Sequence, residues 1–109
     1  MASIQTAALS IVVPTYNERD RLPDLVEAIF RAYRDETVDG ELVIVDDNSP
    51  DGTGALADDL ARRFRVQVIH RSGKLGLGTA VIAGFERATA PVVGVINKNR
   101  VTRGEFSCV

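Results

Sequence analysis

The sequence predicts an α/β protein built on a parallel sheet, with elements in the order β-α-β-α-β-α-β. Three observations predict it. Short runs rich in Val, Ile and Leu stand at residues 9–13, 42–45, 66–69 and 92–96. The stretches between them repeat their apolar residues at helical spacing, and Gly, Pro, Asn and Asp punctuate the joins. Unbroken apolar runs of this length suit strands covered on both faces. Strands alternating with helices imply parallel pairing through right-handed crossovers. Strand order within the sheet is left open by these signals.

Each element has its own signature. Residues 1–8 form a mixed lead-in that is expected to fray. The run Leu-Ser-Ile-Val-Val at 9–13 is a strand stopped by Pro14. Leu22, Leu25, Val26, Ile29, Phe30 and Tyr33 make one helical stripe, and Pro23 stands where a first turn tolerates it. Asp39-Gly40 breaks the chain before the second strand. Residues 48–54 are turn chemistry, with Asp51-Gly52-Thr53 expected to turn the chain and cap the next helix. Leu56, Ala57, Leu60, Ala61 and Phe64 form that helix's stripe. The third strand ends at His70, and a glycine-rich loop over 71–78 leads into a third helix at 79–88, with Val81, Ile82 and Phe85 facing inward. Pro91 opens the fourth strand. Residues 97–109 keep neither period and are expected to form a loop, a weakly ordered tail or an improvised edge strand.

The totals narrow the function classes. The chain has 109 residues, enough for one domain with a real core. With 45% hydrophobic and 26% charged residues it reads as globular rather than disordered. The balance of 13 basic against 15 acidic residues, without a basic run interleaved with aromatics, argues against a nucleic-acid partner. A single cysteine, Cys108, excludes a disulfide framework and a cysteine zinc site. Neither a signal-peptide pattern nor a run of ~18 apolar residues is visible, so a cytoplasmic chain is expected.

The second strand runs straight into Asp46 and Asp47. Carboxylates at the carboxyl end of a parallel strand reach the crevice where open α/β sheets hold ligands, and can accept hydrogen bonds from a nucleoside base or ribose. The plainer alternative is an exposed strand end. Asp47-x-Ser49-x-Asp51-Gly52 resembles the start of a calcium loop, but such a loop joins two helices and here follows a strand. A phospho-receiver domain carries its acidic pair after the first strand and needs a later Asp. This pair follows the second strand, and Asp59 is the last Asp in the chain. The loop at 73–79 lacks the Gly-x4-Gly-Lys-Ser/Thr spacing of a P-loop and, with Val81 in place of a third glycine, the dinucleotide fingerprint. It remains a glycine-rich helix entry with Lys74 beside it, suited either to a diphosphate or to plain structure. His70 has no nucleophile motif around it and reads as a strand end.

Taken together, Ser10-Ile-Val-Val-Pro-Thr-Tyr-Asn-Glu18, Leu42-Val-Ile-Val-Asp-Asp-Asn-Ser-Pro-Asp-Gly-Thr53 and Lys74-Leu-Gly-Leu-Gly-Thr-Ala80 resemble family 2 glycosyltransferases, above all the dolichol-phosphate and polyprenol-phosphate mannosyltransferases. The resemblance covers residues 10–96 and implies the Rossmann-like, nucleotide-sugar-binding half of a GT-A fold. It also implies inverting transfer of mannose from GDP-mannose to a polyprenyl phosphate acceptor at the cytosolic face of a membrane, with Mg²⁺ or Mn²⁺ bridging the diphosphate. Carried onto this chain, Pro14, Tyr16 and Glu18 line the nucleotide pocket. Val45 and Asp47 contact the base and ribose, Asp46 supports that strand end, and Lys74 and Gly76 flank the sugar-nucleotide.

The pattern breaks where the family places Asp-x-Asp after the fourth strand. Here the residues are Asn97, Lys98 and Asn99. Hard divalent cations favour anionic oxygens, so two amides around a lysine remove most of the attraction. The expectation is residues 1–96 as the nucleotide-sugar-binding domain, followed at 97–109 by a divergent tail. Such a tail would be foreign sequence from a frameshift or junction, the end of a fragment, or a degenerate continuation. The chain would bind metal poorly and transfer no sugar. A non-catalytic nucleotide-binding or interaction module and a bare βα fragment stay open beside this reading. Uncovered apolar surface would favour a homodimer through an exposed sheet edge.

Overall fold

The two-residue period of each strand decides which side chain meets which helix. The computed structural model describes residues 7–73, 76–97 and 100–102. Its elements are β1 (Leu9–Thr15), α1 (Leu22–Asp35), β2 (Gly40–Asp46), α2 (Thr53–Ala61), β3 (Val66–His70), α3 (Leu77–Arg87), β4 (Val92–Asn97) and β5 (Arg100–Thr102). The sheet order is β3-β2-β1-β4-β5. β1 pairs in parallel with β2 and with β4, β2 pairs in parallel with β3, and β5 lies antiparallel on β4. The chain therefore builds outward from β1 through β2 to β3, then crosses back to lay β4 on the far side of β1. At such a reversal the crossovers diverge and leave a crevice beyond the carboxyl ends of the strands.

Both faces of the sheet are covered. Val13, Leu42 and Ile44 point to α1 and α2, where they pack with Leu22, Val26, Ile29, Tyr33, Ala57 and Leu60. Val12, Val43, Val45, Val93 and Val95 point the other way, against Ala80 and the partly buried Val81 and Phe85 of α3. Every residue of β2 is buried, as a strand flanked by neighbours and covered twice must be. Phe30 of α1 stacks on Phe64 beyond α2, with ring centroids 5.1 Å apart, and joins the two helices over the sheet. On the other face α3 approaches β1 closely. A Cβ added to Gly84 would lie 2.4 Å from Cγ1 of Val12, so only a glycine permits this contact.

At the amino end of the strands, opposite the crevice, a buried carboxylate ties the sheet together. Glu41 accepts hydrogen bonds from Ser10 Oγ at 2.5 Å, Thr89 N at 2.7 Å, Thr89 Oγ1 at 3.0 Å and Gln67 Nε2 at 3.1 Å. Burial pushes its pKa up, but these four donors outweigh burial and hold it below the ordinary 4.5. The Tyr33 hydroxyl donates to the Glu41 carbonyl at 2.8 Å, and burial, followed by the Glu41 charge, raises the Tyr33 pKa.

Several expectations are corrected. Pro14 does not stop β1, which continues to Thr15. Thr15 turns its carbonyl to β2, where it accepts from Asp47 N at 3.1 Å, so Pro14 faces the β4 side, and that ladder ends at Val12. The missing N–H costs nothing there. Ile82 does not face inward and is 58% exposed; Ala80 and Gly84 are the buried positions of α3. Ala7 and Ala8 do not fray, because Ala7 N donates to Thr89 Oγ1 at 3.2 Å and Ala8 N to the Asp39 carbonyl at 2.7 Å. Helices α2 and α3 begin at Thr53 and Leu77, ahead of their apolar stripes. Of the divergent tail, residues 100–102 take the edge-strand alternative as β5, and residues 98–99 and 103–109 lie outside the described residues.

Candidate functional site

The site is assembled where β1, β2 and β3 end side by side. Strand register sets Thr15 beside Asp46 and Asp46 beside His70. Arg71 N then donates to the Asp46 carbonyl at 2.9 Å, one residue past β3. The two carboxylates that close β2 have separate surroundings because successive side chains leave a strand on opposite faces.

Asp46 is 2% exposed and fully engaged with its own neighbourhood. Its Oδ1 accepts from Thr15 Oγ1 at 2.8 Å and Ser49 Oγ at 2.6 Å, and its Oδ2 accepts from Ser49 N at 3.0 Å. A Cβ on Gly54, at the start of α2, would stand 3.1 Å from Asp46 Oδ2, so the helix entry presses directly on this carboxylate.

Asp47 is held by Arg71 in a two-pronged ion pair, with Nε to Oδ1 at 2.6 Å and Nη2 to Oδ2 at 3.0 Å. The same guanidinium donates through Nη1 to Thr79 Oγ1 at 2.9 Å and through Nη2 to the Gly76 carbonyl at 3.1 Å. One cation therefore joins the end of β2, the end of β3 and the entry to α3. The hydrogen bond to Asp47 raises the Arg71 pKa against the opposing effect of burial. Gly76 takes φ 103° and ψ 149°, a region open only to glycine, and this sets the first turn of α3.

Each residue singled out from the sequence has a definite place. Pro14 is the penultimate residue of β1, in register with Val45, and is half-buried. Tyr16 and Glu18 stand half-buried on the loop between β1 and α1, where the Glu18 carbonyl receives Arg21 N and Leu22 N and starts the helix. Val45 has no exposed surface, and its side chain packs in the core beneath α3. Asp46, Asp47 and Gly76 converge as described. Lys74 and Asn99 lie outside the described residues. His70 closes β3 and pairs with Asp58 of α2 at 2.8 Å, both being half exposed. Among the described residues no three His, Cys, Asp or Glu side chains come together as a metal cluster.

Arg71 is the residue that sequence reasoning passed over, together with the hydroxyls of Thr15, Ser49 and Thr53. A signal did exist. A cation two residues past one apolar run and a carboxylate two residues past the previous run meet when the two strands pair in parallel.

Comparison with known proteins extends this picture. The glycosyl transferase family 2 sequence model matches residues 10–98. The polyprenol monophosphomannose synthase of Mycolicibacterium smegmatis is 49% identical over 78 residues, which are 70% of this chain and 28% of that protein. The dolichol-phosphate mannosyltransferase of Pyrococcus furiosus is 40% identical over 89 residues, 82% of this chain and 25% of that one. The chain thus spans about a quarter of the length of these relatives. Among solved structures, the mannosyltransferase PcManGT of Pyrobaculum calidifontis, determined with GDP-Man and Mn²⁺, superposes with a TM-score of 0.74 at 23% identity, over 91% of this chain and 29% of the other. That likeness is one of fold.

Proposed function

The chain belongs to glycosyl transferase family 2, and from that premise we propose that it forms the nucleotide-sugar-binding part of an enzyme moving mannose from GDP-mannose to a polyprenyl or dolichyl phosphate. The observation that carries the reading is the Asp47–Arg71 pair at the carboxyl ends of β2 and β3, on the same edge of the sheet as the reversal between β1 and β4. Arg71 holds the Asp47 carboxylate in one orientation with both ends of its fork, so that it can accept from a base or ribose without first being ordered. Tyr16 and Glu18 border the same crevice from β1, and the first turn of α3, entered through Gly76, offers backbone N–H groups to a diphosphate. The mannosyltransferase names of the relatives support the choice of sugar and of lipid phosphate acceptor. With a lipid phosphate as the proposed acceptor, a membrane face is the proposed place of work of the whole enzyme.

In the proposed reaction a phosphate oxygen of the acceptor bonds to the mannose anomeric carbon as the bond to GDP breaks, with inversion. Negative charge grows on the departing diphosphate, and donors fixed in advance stabilise it. A divalent cation serves this purpose in many phosphate chemistries, but the donor set here does not fit one. Asn97 and Asn99 carry neutral amides and Lys98 adds a positive charge, whereas hard cations favour anionic oxygens. We therefore assign no step to a metal, and this chain by itself is proposed to bind nucleotide without transferring mannose.

Thermal denaturation with added nucleotide tests the reading. A ligand that binds the native state stabilises it by about 2.7 kcal/mol at a hundredfold excess over Kd. GDP and GDP-mannose are expected to raise the Tm more than UDP does, with or without Mn²⁺. No shift with any nucleotide would overturn the proposal.

A further inference from the structure

Three successive backbone N–H groups of the β1–α1 loop end on side chains of the β2–α2 loop. Asn17 N donates to Ser49 Oγ at 3.0 Å, Glu18 N to Thr53 Oγ1 at 3.1 Å, and Arg19 N to Asp51 Oδ2 at 3.3 Å. The hydroxyls are aimed by carboxylates behind them. Ser49 Oγ gives its proton to Asp46 Oδ1 at 2.6 Å, and Thr53 Oγ1 gives its proton to Asp51 Oδ1. With each proton committed, the lone pairs face the opposite loop and can only accept. Asn17, the first residue of the clasped segment, is held at φ 56°, a left-handed conformation that persists in a non-glycine residue when its surroundings impose it. Gly52 carries its own left-handed φ of 91° and allows Thr53 to begin α2 with its hydroxyl turned toward Glu18.

From this geometry we infer that Ser49, Asp51 and Thr53 are positioning residues for the nucleotide site, acting through the loop that carries Tyr16 and Glu18. They clasp that loop into one conformation before ligand arrives. The inference rests on the nucleotide-binding reading above and deepens it. It assigns the turn after β2 a second task besides leading the chain into α2, and it leaves the ligand contacts to Tyr16, Glu18 and Asp47. Removing one hydroxyl frees an N–H and lets the loop sample conformations that do not bind. Affinity then falls by the fraction of chains still competent.

Titration calorimetry with GDP on the 109-residue chain tests it, alongside the Tm of each variant. Ser49→Ala and Thr53→Val are expected to weaken GDP binding by about tenfold, the scale of one lost hydrogen bond plus an orphaned donor. Thr53→Ser keeps the hydroxyl and is expected to bind within about twofold of the unaltered chain. Glu41→Gln, at the opposite end of the sheet, is expected to lower the Tm with unchanged GDP affinity, which separates positioning from general loss of stability. Equal affinity in Ser49→Ala, Thr53→Val and the unaltered chain would overturn the clasp while leaving nucleotide binding intact. So would a loss in Glu41→Gln or Thr53→Ser as large as that in Thr53→Val. An unaltered chain that binds no nucleotide overturns the functional reading, and the clasp's role with it.

Discussion

Arg71 closes on Asp47 with both ends of its guanidinium fork, and the two side chains are only 10% and 9% exposed. The pair joins residues 24 apart in sequence and depends entirely on β3 lying beside β2. Arg71→Ala leaves a carboxylate in that near-buried position without its cation. Breaking a buried pair from one side costs about 3 kcal/mol, so urea denaturation should show a loss of that order. Arg71→Lys keeps the charge but cannot fork, and should lose less stability while still disturbing the entry to α3. Both variants should bind GDP more weakly than the unaltered chain.

Glu41 gives the fold a pH dependence of known sign. Its folded pKa lies below the ordinary 4.5. Between those two values the unfolded chain binds more protons than the folded one, so stability rises with pH there. The contribution is fully present above about pH 4.5 and is lost as pH falls through the folded value. Glu41→Gln should lose about 1–3 kcal/mol at pH 7 and show a smaller drop in urea midpoint on acidification to pH 3.

Gly84 and Val12 make a test of packing. Alanine at 84 gains about 1 kcal/mol in helix propensity, but its Cβ would meet Val12 Cγ1 at 2.4 Å, and overpacking of that kind costs about 1–3 kcal/mol. Net destabilisation is expected for Gly84→Ala. In the double variant Val12→Ala/Gly84→Ala, the new methyl partly fills the space vacated by the valine. Its loss of stability should fall short of the sum of the two single losses by about 1 kcal/mol, read from a double-mutant cycle.

The donor chemistry at 97–99 makes a prediction about metal. In the unaltered chain Mn²⁺ should not change the thermal shift produced by GDP. Asn97→Asp/Asn99→Asp supplies the anionic oxygens a hard cation needs, and Mn²⁺ should then tighten GDP binding by about tenfold. A Mn²⁺ response already present in the unaltered chain would show that its nucleotide site recruits metal with other groups.

The element order was legible in the sequence because each element writes its own period. Val12 and Val13, or Ile44 and Val45, are apolar in succession because β1 and β2 are covered on both faces. Asp46 and Asp47 were legible for the same local reason, as charge at the end of an apolar run. Ile82 misled because hydrophobicity stood in for burial. On α3 the close approach to Val12 requires the small residues Ala80 and Gly84, which leaves Ile82 outside. Pro14 misled because the cost of a proline depends on which side of a strand lacks a partner, and that is a property of the neighbour.

The sequence by itself determined the fold class, the three motif stretches that mark the family, and the amides at Asn97 and Asn99 where the family pattern has carboxylates, since these are matters of residue type and spacing along the chain. Only the tertiary structure decided that Arg71 would hold Asp47, that Ser49, Asp51 and Thr53 would take the N–H groups of Asn17, Glu18 and Arg19, and that Val45 would be core. The physical reason is the strand order. Apolar periodicity says that a strand forms but carries no information on its neighbour, and every one of these contacts crosses from the end of one strand to the end of the next.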